Sequence, residues 1–217
     1  MHRDYTLSDH LIIQVDHILS SFLSGRRAGQ GGNLSESPAI LLDDPVLNES
    51  DHRLSEGLMR VNHAGEVSAQ ALYQGQAITC RDRQIQSVMN RSALEERDHL
   101  AWCKQRLNEL HGHTSFLNPV WYAGSFSIGT LAGLAGDKWS LGFVAETERQ
   151  VVEHLQGHLQ RLPENDTKSR AILLQMVTDE SRHGATAMAE GGVELPTIVK
   201  RMMRFCSGIM TRTAYWI

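Results

Sequence analysis

Apolar residues recur at helical spacing along almost the whole chain. Over 7–23, Leu11, Ile12, Val15, Ile18, Leu19 and Phe22 fall three and four apart, which predicts an amphipathic helix. The run GRRAGQGGNLSESP at 25–38 then predicts a flexible Gly/Ser-rich linker. Strand patterns are nearly absent beyond it. Residues 52–79 and 82–111 read as two long helices broken near Cys80, and 138–161 and 166–190 as a second pair broken near Pro163. Gly112 and Gly191-Gly192 supply helix stops. The segment 114–136 between the pairs carries no formal charge, and a basic helical segment over 194–215 closes the chain. Two helix hairpins joined by a crossover predict an all-α four-helix bundle over 51–217, preceded by the helix and linker over 1–50.

Ionisable residues interrupt the apolar stripes in a repeated way. EERDH at 95–99 and DESRH at 179–183 each place an acid before Glu-x-x-His. A glutamate and a histidine three apart lie on one helix face, so both can reach one ion. Two Glu-x-x-His helices plus two helices with a single inward Glu make a di-iron or di-manganese site. Glu66 stands 30 residues before Glu96, and Glu148 stands 32 before Glu180. Glu148 falls within the stripe of Val144, Ala145, Val151, Val152, Leu155 and Leu159. Glu146 and Glu153 lie roughly 140–160° from it and are predicted to face solvent. The candidate ligands are therefore Glu66, Glu96, His99, Glu148, Glu180 and His183. Metal-bound histidines usually donate their other N–H to a carboxylate. Glu95 and Asp179 could each serve the histidine of the opposite half, or form surface pairs with Arg91 or Arg182.

Composition narrows the partners. The chain of 217 residues is 41% apolar with a net charge of -4, so nucleic acid is not an expected partner. Cys80, Cys103 and Cys206 form no CxxC, which argues against a disulfide framework or a zinc ribbon and fits a reducing compartment. The start MHRDYTLSDH has no apolar run of a secretory signal, so the chain is expected to stay where it is made. FLNPVWYAGSFSIGTLAGLAG at 116–136, with Trp121 and Tyr122, is a poor spanning helix. It reads as interfacial, as the wall of a tail channel, or as a core helix. The last helix carries Lys200, Arg201, Arg204 and Arg212 beside Phe205, Tyr215 and Trp216. Basic plus aromatic predicts an interfacial helix on anionic lipid, against the alternative that it only packs on the bundle.

RVNHAGEVSAQALYQGQ at 60–76, ALEERDHL at 93–100, VAETERQVVEHL at 144–155 and TDESRHG at 178–184 resemble the demethoxyubiquinone hydroxylase family of ubiquinone biosynthesis, over about 50–217. The resemblance implies a ferritin-like bundle with two iron ions on the same six residues. It implies a monooxygenase that hydroxylates the ring of a polyprenyl methoxy-methyl-benzoquinol with O2, one step before the final O-methylation. An electron donor, a membrane surface and other ubiquinone-biosynthesis proteins are the implied partners. The implied location is peripheral, on the cytoplasmic face of the bacterial cell membrane. His154 joins Glu95 and Asp179 as a residue expected beside the ligands. The chain has Ser68 where relatives often have Gly, and His154-Leu155 where they often have His-Tyr. Iron storage or peroxidase chemistry on the same scaffold, and a non-catalytic quinone- or lipid-binding module, are the alternative readings.

Overall fold

The structure, a computed structural model, describes residues 34–44 and 46–217, and among them all regular structure is helical. The helices are α1 (Glu49–Thr79), α2 (Arg83–Glu109), α3 (Asn118–Leu134), α4 (Asp137–Arg161), α5 (Thr167–Ala189) and α6 (Thr197–Ala214). The amphipathic helix expected over 7–23 and the linker up to residue 33 lie outside the described residues.

Short acidic and amide side chains set the helix starts. Asn48 accepts from the Asp51 N–H at 2.9 Å, Asp82 from Gln84 N–H at 2.7 Å and Asp166 from Ser169 N–H at 3.1 Å. Each supplies an acceptor to a first-turn N–H that has no partner within its helix. Asp137 accepts from the N–H groups of Arg81 and Asp82, at 3.1 and 3.0 Å, and so ties the α1–α2 turn to the start of α4.

The pairs α1–α2 and α4–α5 are hairpins, with α2 against α5 and α1 against α4. This is the expected ferritin-like bundle, with α3 as the helical part of the crossover. One core cluster joins Leu58, Met59, Cys103, Leu107, Leu155, Leu173 and Met176, all 1% exposed or less. A second joins Tyr73, Met89, Leu141, Val144 and Ala187. On every bundle helix the candidate ligands fall between the residues of these two clusters. Each fully buried aliphatic side chain contributes about 1.5–3 kcal/mol, and the two clusters together hold the ionisable layer between them. At one end, buried Arg106 joins α2 to α5 through Asp166 at 2.8 Å and Ser169 at 2.9 Å. The segment before α1 docks nearby, where Trp102 Nε1 donates to Ser35 O at 3.0 Å and Lys168 pairs with Asp44.

The uncharged segment packs along α1 at close range. A Cβ on Gly129 would lie 2.3 Å from Leu72 O, and one on Gly75 would lie 2.3 Å from Phe126 O, so the two backbones meet where side chains are missing. Trp121 and Tyr122, whose segment offers an interfacial, a tail-channel or a core role in the sequence, turn toward the bundle. Trp121 packs on Val61, Ala64 and Ala214, and Tyr122 is buried with its hydroxyl on Gln74. They share the helix face of Gly129 and are drawn in with it. The opposite face, with Val120, Ile128, Leu131 and Leu134, is exposed. A second correction concerns Glu146. It is buried, not solvent-facing, because α6 crosses α4 and brings Lys200 to 3.8 Å, while Arg149 holds the carboxylate at 2.7 Å.

Candidate metal centre

Glu66, Glu96, His99, Glu148, Glu180 and His183 come from α1, α2, α4 and α5, and each is 4% exposed or less. Their contacts fall into two halves. His99 Nδ1 lies 3.6 Å from Glu66 Oε2, 3.3 Å from Glu96 Oε2 and 3.1 Å from Glu180 Oε1. His183 Nδ1 lies 3.2 Å from Glu96 Oε1 and 3.0 Å from Glu180 Oε2. Glu96 and Glu180 therefore turn one oxygen to each histidine. Glu66 belongs to the His99 half. Ligand atoms of Glu66, Glu96, His99 and Glu180 all lie within 4.8 Å of one another. Glu148 belongs to the His183 half. Its Oε1 accepts from Tyr73 OH at 2.6 Å, and the Tyr73 ring stands edge-on to His183 at 6.4 Å.

The outer nitrogens of the histidines are held by the acids that precede the glutamates of the opposite hairpin. His99 Nε2 lies 3.2 Å from Asp179 Oδ2, and His183 Nε2 lies 2.6 Å from Glu95 Oε2. Arg182 spans both acids at 2.9 Å. The two sequence readings of Glu95 and Asp179 are thus realised together, since each acid meets a histidine and an arginine. This leaves both Nδ1 atoms pointing inward as acceptors for a cation.

Burial and mutual repulsion shape the protonation of the cluster. Burial pushes the Glu66 carboxyl well above the usual carboxylate range, with Glu96 and Glu180 adding to it. Burial does the same to Glu148, again reinforced by Glu180 and Glu96. Glu96 is held low because hydrogen bonds to His183 and His99 outweigh its burial. Burial opposes a charge on His183, but Glu180 and Glu96 outweigh it and raise its pKa to about 11. His99 is raised likewise, with Asp179 foremost among its partners.

The donor set fits divalent metal. Glu66 Oε2 and Glu148 Oε2 are buried without a hydrogen-bond partner, which is costly unless something else meets them. Four carboxylates and two imidazoles arranged in two halves are a donor set that could hold metal.

Other expected residues fall elsewhere. The His154 ring lies 3.9 Å from that of His158, and His158 Nδ1 lies 2.8 Å from Asn62 Oδ1; His154 sits in this network rather than against the six. Lys200 and Arg204 reach carboxylates of the protein, Glu194 at 2.8 Å and Glu153 at 3.2 Å. Arg201 and Trp216 are exposed.

A family model described as ubiquinone biosynthesis protein COQ7 matches residues 53–214, which span nearly all of α1 and every later helix. The chain belongs to the COQ7 family. Among COQ7-family relatives, the 3-demethoxyubiquinol 3-hydroxylase of Nitrosospira multiformis is 54% identical over 209 residues, 96% of this chain and 98% of that protein. That of Nitrosococcus oceani is 54% identical over 96% of each chain. That of Acinetobacter baumannii is 52% identical over 215 residues, 99% of this chain and 100% of its own. Tyr73 is the residue of this COQ7-family site that the sequence reading missed. The available signal was position, because seven residues on from Glu66 returns to nearly the same helix face.

Proposed function

We propose that this chain hydroxylates the ring of a polyprenyl demethoxyubiquinol with O2, at two iron ions held by Glu66, Glu96, His99, Glu148, Glu180 and His183. The observation that carries the reading is the pair of glutamates, Glu96 and Glu180, each turned to both histidines, in a chain with relatives named 3-demethoxyubiquinol 3-hydroxylases. The iron pair would supply the electrons and the Lewis acidity that O2 activation needs. The side chains supply the rest. Glu66 and Glu148 would each offer a carboxylate to one half of the centre. Asp179 and Glu95 fix the tautomers of His99 and His183 and aim their Nδ1 atoms inward. Tyr73 holds Glu148 in one orientation. The two core clusters exclude bulk water.

Among the described residues no helix is long and apolar enough to cross a membrane. In this reading the apolar substrate is met at a bilayer, on its cytoplasmic face. Two exposed apolar stripes support peripheral contact: Val120, Leu131 and Leu134 on α3, and Ile198, Met202, Phe205 and Ile209 on α6. Both helices pack on α1. An electron donor is the further partner the reaction requires.

The test is turnover under isotopically labelled O2. Iron-loaded protein, a chemical reductant and a short-tail demethoxyubiquinol are expected to give a product heavier by one labelled oxygen atom. Oxidation of the iron without any hydroxylated ring would instead match the storage or peroxidase reading.

A further inference from the structure

We propose that the cavity between α4 and α5 is the chamber that receives the aromatic ring of the quinol, with the apolar tail leaving past Met188 and Leu195. This deepens the hydroxylase reading and rests on it.

The cavity measures about 390 Å³ and is lined from α4, α5, the loop that follows α5 and the start of α6. Its floor is Glu148 and Glu180. Glu148 lies in the His183 half and Glu180 faces both histidines, so an occupant meets these two carboxylates and not Glu66. Tyr73 holds Glu148 from the α1 side, opposite to the opening.

Size and lining match one substituted ring. Small-molecule sites run from roughly 300 to 1,000 Å³, mostly apolar with a few polar groups that orient the ligand. This chamber stands near the lower end, which suits a ring with small substituents and leaves a polyprenyl tail outside. Its walls are small or aliphatic: Ala145 and Val152 on α4, Gly184 and Ala185 on α5. The rim is divided. Glu146, Arg149 and Lys200 form a charged side, where Arg149 and Lys200 can donate to ring oxygens. Met188, Val193 and Leu195 form an apolar side, and Glu194, between the last two, pairs with Lys200 at 2.8 Å. A quinol is divided in the same way, with oxygens around the ring and a hydrocarbon tail from one carbon. Lys200 also places the mouth at the first turns of α6, the helix whose outer face exposes Ile198 and Met202. A tail leaving the apolar rim would reach that face directly.

The test uses iron-loaded full chain kept free of O2 and a short-tail quinone bearing a photoreactive azide. The parent is expected to bind it and to carry the label in 181–195. Ala185→Trp fills the chamber from its wall. It is expected to weaken binding at least about tenfold with thermal stability and iron content unchanged. Leu41→Trp, at an exposed position before α1, is expected to leave binding unaltered. Labelling on α1 or α3, or parental affinity in a folded Ala185→Trp, would overturn the chamber while leaving hydroxylation by this enzyme intact. A parent that neither binds nor converts the quinone would overturn the hydroxylase reading as well. Photolabelling needs no variant, so the test holds even if Ala185→Trp fails to fold.

Discussion

Asp179 touches His99 Nε2, Arg182 and Gln175 at once, at 3.2, 2.9 and 3.0 Å. Hydrogen bonds to His99 and Arg182 outweigh its partial burial and keep its carboxyl ionised at any ordinary pH. Asp179→Asn preserves the shape and removes the charge that steadies the His99 tautomer. The expected outcome is roughly a 10–100-fold loss in metal affinity or activity, read by metal titration and by turnover, with little change in melting temperature. Full affinity and full turnover would make Asp179 a surface acid paired only with Arg182. At this scale the site was largely legible. Acid-Glu-x-x-His fixes a helix face, and its repetition fixes the partner helix. What sequence could not supply is which residues of other helices approach that face. Tyr73 meets Glu148 across 75 positions. Glu146 is buried beside Lys200, which comes 54 positions later in the chain.

Helix identity was read correctly from periodicity, but the faces of α3 and α6 depend on what they pack against. The segment 114–136 offered three roles from composition alone, and the close approach at Gly75 and Gly129 decided which face turned inward. On α6 the exposed stripe separates the four cations. At about 100° per residue, Arg201 and Arg212 lie about 50–70° from the stripe centre, and Lys200 and Arg204 about 130–170° away. The latter two reach carboxylates of the protein. Only Arg201 and Arg212 are then placed to meet anionic lipid. At an anionic surface they would contribute about 1 kcal/mol each, or about thirtyfold together in partitioning. Co-sedimentation with anionic vesicles should fall by about that factor in Arg201→Gln/Arg212→Gln and much less in Lys200→Gln/Arg204→Gln. Equal losses in the two double variants, or none in either, would remove the stripe as the docking face.

The molecule as a whole encloses four buried carboxylates and two histidines between two apolar clusters, and its stability follows their protons. In the metal-free protein, Glu66, Glu148, His99 and His183 all hold protons more tightly when folded than unfolded. Their contribution is present at low pH and is lost as pH rises, for His183 from about 6.5 up to about 11. Thermal unfolding of metal-free protein is therefore expected to shift to lower temperature between about pH 7 and pH 9, with bound metal abolishing the shift. A melting temperature that rises over this range without metal would contradict the protonation assigned to the cluster.

The pairing of two half-sites through Glu96 and Glu180 is most directly tested by Mössbauer spectroscopy of the iron-loaded, air-oxidised protein. A bridged pair is expected to give the doublet of two ferric ions coupled to a diamagnetic ground state, at about two iron ions per chain. Isolated high-spin ferric iron, or a single ion per chain, would contradict it.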